Sequence, residues 1–143
     1  MSRIRGRDTR PEMLLRRGLH ARGERFRLHR KDLPGRPDLV FPRHRAVIFV
    51  HGCFWHGHDC PRFRLPKTNT EFWDEKVRLN RVRDASATAA LKMAGWRTLI
   101  VWECALTGPA KLPLTQTLDH VQDFLIGASL RAECAGAWQS REP

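Results

Sequence analysis

The segment that most constrains this chain is a run of ten residues near its middle. Residues 51–60 read HGCFWHGHDC and contain three histidines and two cysteines. Cysteine and histidine at this density are typical of a zinc site, in which four such ligands surround the metal as a tetrahedron. The alternative is that the cysteines are buried free thiols, which occur often in protein cores. We favour zinc because so many histidines accompany the two cysteines.

Three of the four ligands would come from this run, and the sequence does not decide which histidine is one of them. Cys53 and Cys60 supply two sulfur atoms, and either His58 or His56 fits as the third ligand. The histidine that does not bind metal is free to exchange a proton with water near neutral pH. A zinc deaminase is excluded, because the run has neither the His-x-Glu pair nor the Cys-x-x-Cys pair of those enzymes.

The fourth ligand is predicted to be Cys104, which follows a predicted strand at 98–102. That strand would lie beside the apolar strand 46–50 in a compact sheet, so that both strand ends reach the same place. A site with four protein ligands has no open position, and the zinc is therefore predicted to be structural. Cys134 lies in the tail, away from the other three, and is predicted to be a free thiol.

The rest of the pattern predicts a single α/β domain over residues 1–143, with a basic segment at 1–10 and a poorly specified tail at 127–143. Helices and strands follow one another as α-β-β-β-α-β-α, a sheet with helices on its faces. The predicted strands lie at 26–28, 39–41, 46–50 and 98–102, and the helices at about 10–23, 71–95 and 112–126. The apolar residues of the second helix recur at helical spacing and are Phe72, Leu79, Val82, Ala89 and Met93.

One acid has the position of a magnesium anchor. Asp38 opens a predicted strand, and a single carboxylate can hold Mg²⁺ because the ion keeps several waters and accepts phosphate oxygens. Residues 39–52 contain no acid or lysine, so a further ligand there would be the main-chain carbonyl of Val50. The alternative is that Asp38 only marks the exit from a turn. Glu12 fits a helix capping box and Asp84 fits a polar helix stripe, which are structural interpretations.

Positive charge is concentrated at the start of the chain. Residues 1–31 hold eleven lysines and arginines against three acids, and so carry eight of the eleven net positive charges. A block of this kind favours a polyanion, most often nucleic acid. No apolar run approaches the roughly 20 residues that a membrane helix needs. The basic start lacks the apolar stretch of a secretory signal, so we expect a cytoplasmic protein.

Three aromatic side chains fall at unusual places for a core. Phe54 and Trp55 lie inside the metal-ligand run, and Trp73 lies in the first turn of the second predicted helix. In a basic protein such side chains can insert between DNA base steps. Packing as a small core around the metal is an equally good interpretation of the sequence.

Taken together, the motifs resemble those of the very short patch repair (Vsr) endonucleases. The resemblance runs from about residue 7 to residue 108, and the order of its blocks agrees. These blocks are GRPD at 35–38, VIFVHGCFWH at 47–56, TEFW at 70–73, EK at 75–76 and IVWECAL at 100–106. Val50 stands where a threonine is familiar in the family, a change that a main-chain carbonyl ligand tolerates.

The resemblance implies a restriction-endonuclease-like core, with a central mixed β-sheet flanked by helices and a structural zinc. It implies an enzyme that uses Mg²⁺ to nick duplex DNA 5′ to the thymine of a T·G mismatch left by deamination of 5-methylcytosine. The implied catalytic residues are Asp38, His56, Glu12 and Asp84, with Asp38 and the Val50 carbonyl on Mg²⁺. The implied zinc ligands are Cys53, His58, Cys60 and Cys104, and the implied DNA-intercalating side chains are Phe54, Trp55 and Trp73.

The resemblance also concerns partners. It implies contact with the mismatch-repair protein MutL, a functional link to a DNA cytosine-5 methyltransferase, and action as a monomer. The alternative function is a zinc-stabilised DNA-binding module without catalytic activity. Mg²⁺-dependent nicking of a T·G duplex distinguishes the two.

Overall fold

The computed structural model describes residues 8–138, in which five strands and four α-helices are formed. Arg3, Arg5 and Arg7 of the basic segment lie outside the described residues. The helices are α1 (Arg10–Ala21), α2 (Thr70–Met93), α3 (Glu103–Leu106) and α4 (Leu114–Ile126). The strands are β1 (Arg27–Leu28), β2 (Leu39–Phe41), β3 (Ala46–His51), β4 (Arg97–Trp102) and β5 (Arg131–Cys134). None of the described helices is long and apolar enough to span a membrane.

The five strands form one mixed sheet in the order β1-β2-β3-β4-β5. β1, β2 and β3 are antiparallel neighbours, whereas β3, β4 and β5 run parallel to one another. Parallel neighbours need a long crossover connection, and α2 and α4 lie in the two crossovers. The prediction of a central mixed sheet flanked by helices is confirmed.

Alternation along the central strands builds a core on each face of the sheet. Ile48 of β3 and Leu99 and Val101 of β4 pack with α1 and α4 in one buried cluster. Phe49 of β3 and Ile100 of β4 belong to the other cluster, on the face that carries α2 and the metal-ligand run. Successive side chains of a strand point to opposite faces, so one apolar run serves both layers.

The last part of the described chain is more ordered than its sequence pattern suggests. Residues 131–134 form β5, which pairs in parallel with β4, and the pattern predicted no strand there. Cys134 is a free thiol, as predicted, but it is buried in the core opposite Val101. The missed strand has only four residues, Arg131–Cys134, and its polar–apolar alternation is too short to be recognised in the sequence.

The long helix differs from its predicted amphipathic pattern. Of its 24 residues, Val77 and Leu91 are buried. The predicted apolar stripe points to solvent instead, and Phe72 is 60% and Met93 88% exposed. Leu91 belongs to the buried cluster on this face of the sheet, whereas Val77 lies against the loop at Gly57.

Candidate active site and metal centre

The candidate site lies where the start of β2 meets the ends of β3 and β4. β2 is antiparallel to β3, with Leu39 opposite Ile48. Asp38, the residue before β2, therefore lies beside the C-terminal end of β3. The Val50 N–H donates to Asp38 Oδ2 at 2.7 Å. Oδ1 of Asp38 receives no hydrogen bond from the described residues, and His29 Nε2 lies 3.9 Å from it.

Burial favours the protonated form of the Asp38 carboxyl group. Its side chain is 14% exposed. Burial, reinforced by the negative charge of Glu12 and opposed by the Val50 N–H, raises the pKa of Asp38 to about 7. A nearby positive charge stabilises the ionised form of such a poorly solvated carboxylate.

A cavity of about 380 Å³ joins this acid to a histidine–carboxylate pair under α2. His56 Nδ1 lies 2.6 Å from Asp84 Oδ2, within hydrogen-bond distance. The cavity walls include Arg36 from the turn before β2 and Arg83 from α2. The cavity thus combines one buried acid, one oriented imidazole and two cationic side chains, a set suited to a phosphodiester group.

A second histidine stacks on the first. The rings of His51 and His56 lie 3.7 Å apart and are parallel to within 3°. Burial, and the nearness of His56, lowers the pKa of His51 to about 3, so His51 is neutral. Its Nδ1 is buried and has no hydrogen-bond partner among the described residues. His51 fixes the plane of His56 without adding charge to the cavity.

The four predicted zinc ligands come together next to this cavity. Their ligand atoms, from Cys53, His58, Cys60 and Cys104, all lie within 4.8 Å of one another. Cys104 Sγ lies 3.7 Å from His58 Nδ1. Bond lengths of about 2.0–2.3 Å in a tetrahedral zinc site place neighbouring ligand atoms at about this separation. The donor set therefore fits zinc, and His56 lies outside it.

Hydrogen bonds prepare the Cys104 sulfur for a metal. The Cys53 thiol and the Gly136 N–H lower the pKa of Cys104 below its ordinary 9.0. The thiolate is the form that binds metal. A Cβ at Gly136 would clash with the Cys104 carbonyl, so glycine is required for this close approach.

The loop that carries the ligands is tied to α2 and to α3. Glu103 accepts the Cys53 N–H at 3.0 Å, and the Asn80 amide donates to the Trp55 carbonyl at 2.9 Å. Gly57 has a positive φ of 61°, and a side chain there would meet Val77 of α2 at 2.8 Å. The loop therefore lies close under α2, where it delivers His56 to Asp84.

Glu12 has a larger role than helix capping. Its N–H donates to the Thr9 hydroxyl oxygen at 3.4 Å, as a capping box predicts. Its carboxylate, however, accepts from the Asp8 N–H and from Arg16, and lies 2.6 Å from His29 Nε2. Glu12 is 1% exposed, so its charge is buried beside Asp38.

The three aromatic side chains form a cluster at the surface. Ring centroids of Phe54, Trp55 and Trp73 lie 5.2–5.9 Å apart. All three rings are partly exposed, and none belongs to either buried core cluster. Phe72 extends the cluster, with its ring 5.1 Å from Trp73. The three rings therefore contact one another and are also partly accessible at the surface.

Comparison with known proteins places these features in a family. Residues 1–62 match the family model described as DNA mismatch endonuclease Vsr. The chain is 44% identical over 133 residues to the DNA mismatch endonuclease Vsr of Escherichia coli (strain K12), covering 93% of this chain and 85% of that protein. It is 51% identical over 121 residues to the type II nicking enzyme V.XorIIP of Xanthomonas oryzae pv. oryzae, covering 83% and 89%.

The chain belongs to the Vsr family. The resemblance drawn from its motifs is confirmed, and so is the prediction of an endonuclease. The sequence missed two histidines that this Vsr chain places beside the predicted residues. His51 stacks on His56, and His29 Nε2 lies 2.6 Å from Glu12 Oε2 and 3.9 Å from Asp38 Oδ1. The signal for His51 is its place in the ligand-rich run; nothing in the sequence singles out His29.

Proposed function

We propose that this chain nicks duplex DNA on the 5′ side of the thymine of a T·G mismatch, in a Mg²⁺-dependent reaction that begins very short patch repair. The observation that carries the proposal is the cavity that Asp38 shares with the His56–Asp84 pair. A buried acid that favours a cation and an imidazole that can move a proton are what phosphodiester hydrolysis requires.

Asp38, with the main-chain carbonyl of Val50, would hold Mg²⁺. The residues fit the ion, because Oδ1 of Asp38 receives no hydrogen bond from the described residues and its charge is poorly solvated. When bound, the ion supplies positive charge against the scissile phosphate. Arg36 and Arg83 line the same cavity and would bind the flanking phosphate oxygens.

His56 would take the proton of the attacking water. Its Nδ1 faces Asp84, and a carboxylate only accepts hydrogen bonds, so Nδ1 carries the hydrogen. Nε2 of the neutral ring is then an acceptor. Asp84 fixes this tautomer and stabilises the imidazolium that forms, and the stacked His51 keeps the ring in plane.

The aromatic cluster would supply selectivity for the mismatch. Phe54, Trp55 and Trp73 are partly exposed and would insert between base steps beside the cavity. Unstacking costs least at a mismatched pair, so the same wedge is resisted more strongly by a matched duplex. Zinc on Cys53, His58, Cys60 and Cys104 would hold the loop that carries two of these rings, and would be structural.

The remaining parts of the proposal concern partners. A net charge of +11 supports binding to a DNA duplex, and we propose that the single domain acts as a monomer. The proposal includes contact with the mismatch-repair protein MutL. It also includes a functional link to a DNA cytosine-5 methyltransferase, whose product creates the mismatch.

The test is nicking of end-labelled duplexes that differ only at one base pair. The T·G duplex with Mg²⁺ should give one product, cut directly 5′ to the mismatched thymine. The T·A duplex with Mg²⁺ and the T·G duplex without Mg²⁺ should remain intact. Equal cutting of both duplexes, or a cut elsewhere, would contradict the proposed substrate.

A further inference from the structure

His29 lies between the two buried acids of the site. Its Nε2 is 2.6 Å from Glu12 Oε2 and 3.9 Å from Asp38 Oδ1. A carboxylate only accepts hydrogen bonds, so Nε2 carries the hydrogen that the Glu12 oxygen receives. Among the described residues, His29 is the one lysine, arginine or histidine with a side-chain nitrogen within 4.0 Å of both carboxylates.

The backbone brings His29 to this position at a cost. Its φ is +47°, a left-handed conformation that side chains other than glycine adopt at some expense of free energy. Its N–H donates to the Asp38 carbonyl at 3.2 Å, one residue beyond the paired residues of β1 and β2. The backbone of Asp38, directly before β2, thus also fixes the backbone position of His29.

The other contacts of the Glu12 carboxylate are with residues of α1 and of the segment directly before it. Oε1 accepts the Asp8 N–H at 3.0 Å, and Oε2 accepts from Arg16 at 3.2 Å. Arg16 is shared, because it also pairs with Asp8 at 2.8 Å. These partners hold Glu12 to α1, whereas His29 connects it to the sheet. Apart from His29, no described basic side chain has a nitrogen within 4.0 Å of both Glu12 and Asp38.

We propose that His29 is a positioning residue, whose Nε2–H holds the Glu12 carboxylate at a fixed place beside Asp38 and so shapes the cation site. The proposal rests on the proposed function. This role requires a hydrogen-bond donor at the position of Nε2. It does not depend on a change in the charge of the ring. Groups that orient metal ligands from behind typically change metal affinity or activity by about 10- to 100-fold.

Two amide substitutions separate this hydrogen-bonding role from the preference of the backbone for a residue that tolerates a left-handed conformation. In His29→Gln the amide nitrogen reaches the place of Nε2, whereas in His29→Asn it stops near the place of Nδ1. Asparagine, however, adopts the left-handed conformation more readily than glutamine. The hydrogen bond therefore favours glutamine at this position, and the backbone favours asparagine.

The measurement is Mn²⁺ binding to the zinc-loaded protein, followed by electron paramagnetic resonance, with Asp38→Asn as the blank. We expect His29→Asn to weaken Mn²⁺ binding about 10-fold or more, and His29→Gln to stay within a few-fold of wild type. The Mg²⁺ concentration for half-maximal nicking should rise in the same order. Zinc content and T·G duplex binding without Mg²⁺ should stay unchanged.

His44→Asn is the matched control. His44 is another half-buried histidine near a glutamate, 4.0 Å from Glu24, and it follows the far end of β2. It should leave Mn²⁺ binding unchanged. Wild-type Mn²⁺ binding in His29→Asn, or weaker binding in His29→Gln than in His29→Asn, would overturn the positioning role. Absence of nicking by wild type with intact Mn²⁺ binding would instead reject the proposed function.

Discussion

Asp38→Asn is predicted to stabilise the metal-free protein while it removes activity. Burial and Glu12 raise the pKa of Asp38 from 3.8 to about 7. An acid whose pKa is higher in the folded than in the unfolded chain lowers stability at every pH above its unfolded-state pKa. This penalty is absent below pH 3.8, grows between pH 3.8 and about 7, and is constant above that range. Asparagine does not titrate and so avoids it.

The size of the gain follows from the same values. The difference between 3.8 and about 7 corresponds to about 4 kcal/mol at alkaline pH. The asparagine carbonyl can still accept the Val50 N–H, whereas its new amide group loses water without a clear partner, at a cost of about 1–3 kcal/mol. We therefore expect a net gain of about 2 kcal/mol at pH 8, and no gain below pH 4.

Urea unfolding followed by tryptophan fluorescence measures this gain. The buffer must lack Mg²⁺ but also lack chelator, so that the cysteine–histidine centre keeps its metal. Asp32→Asn is the control, because Asp32 is exposed and its hydrogen bond to Arg30 lowers its pKa. That variant should gain nothing at pH 8. If Asp38→Asn gains no more stability at pH 8 than at pH 4, the account of this buried acid is wrong.

Two further substitutions test the neighbouring groups. His58→Ala removes a proposed zinc ligand and should lower both zinc content and the thermal midpoint, because a structural metal contributes directly to folding. Full zinc content with an unchanged midpoint would contradict the ligand assignment. Trp55→Ala should reduce the preference for T·G over T·A duplex, by about 1–3 kcal/mol for one stacked base. Phe72→Ala, outside the three-ring cluster, should have a smaller effect. Equal losses on both duplexes would return Trp55 to a packing role.

Much of this architecture could be predicted from local pattern. The apolar strands β2, β3 and β4 and the helices α1, α2 and α4 were recognisable, because each has the period or the end signals of its type. The four zinc-type ligands were recognisable because three of them lie within eight residues. The ligand run did not by itself distinguish His56 from His58. The fold does so, by placing one ring against Asp84 and the other against Cys104.

The features that the sequence did not reveal depend on contacts between distant segments. β5 is specified by pairing with β4 rather than by its own four residues. The apolar stripe of α2 is exposed because the polar loop 51–60 occupies the space beneath the helix. The position of His29 depends on a left-handed residue at the end of a two-residue strand, for which no periodicity exists.

The most direct test of the account is the single-turnover nicking rate of His56→Ala on a T·G duplex with Mg²⁺. The account predicts a rate lower by about 10²- to 10⁴-fold, as for loss of a positioned acid–base group. Zinc content and duplex affinity should remain at wild-type values, and His20→Ala, an exposed histidine of α1, should nick at the wild-type rate. A wild-type rate for His56→Ala, or loss of its zinc, would contradict the assignment of His56 to catalysis.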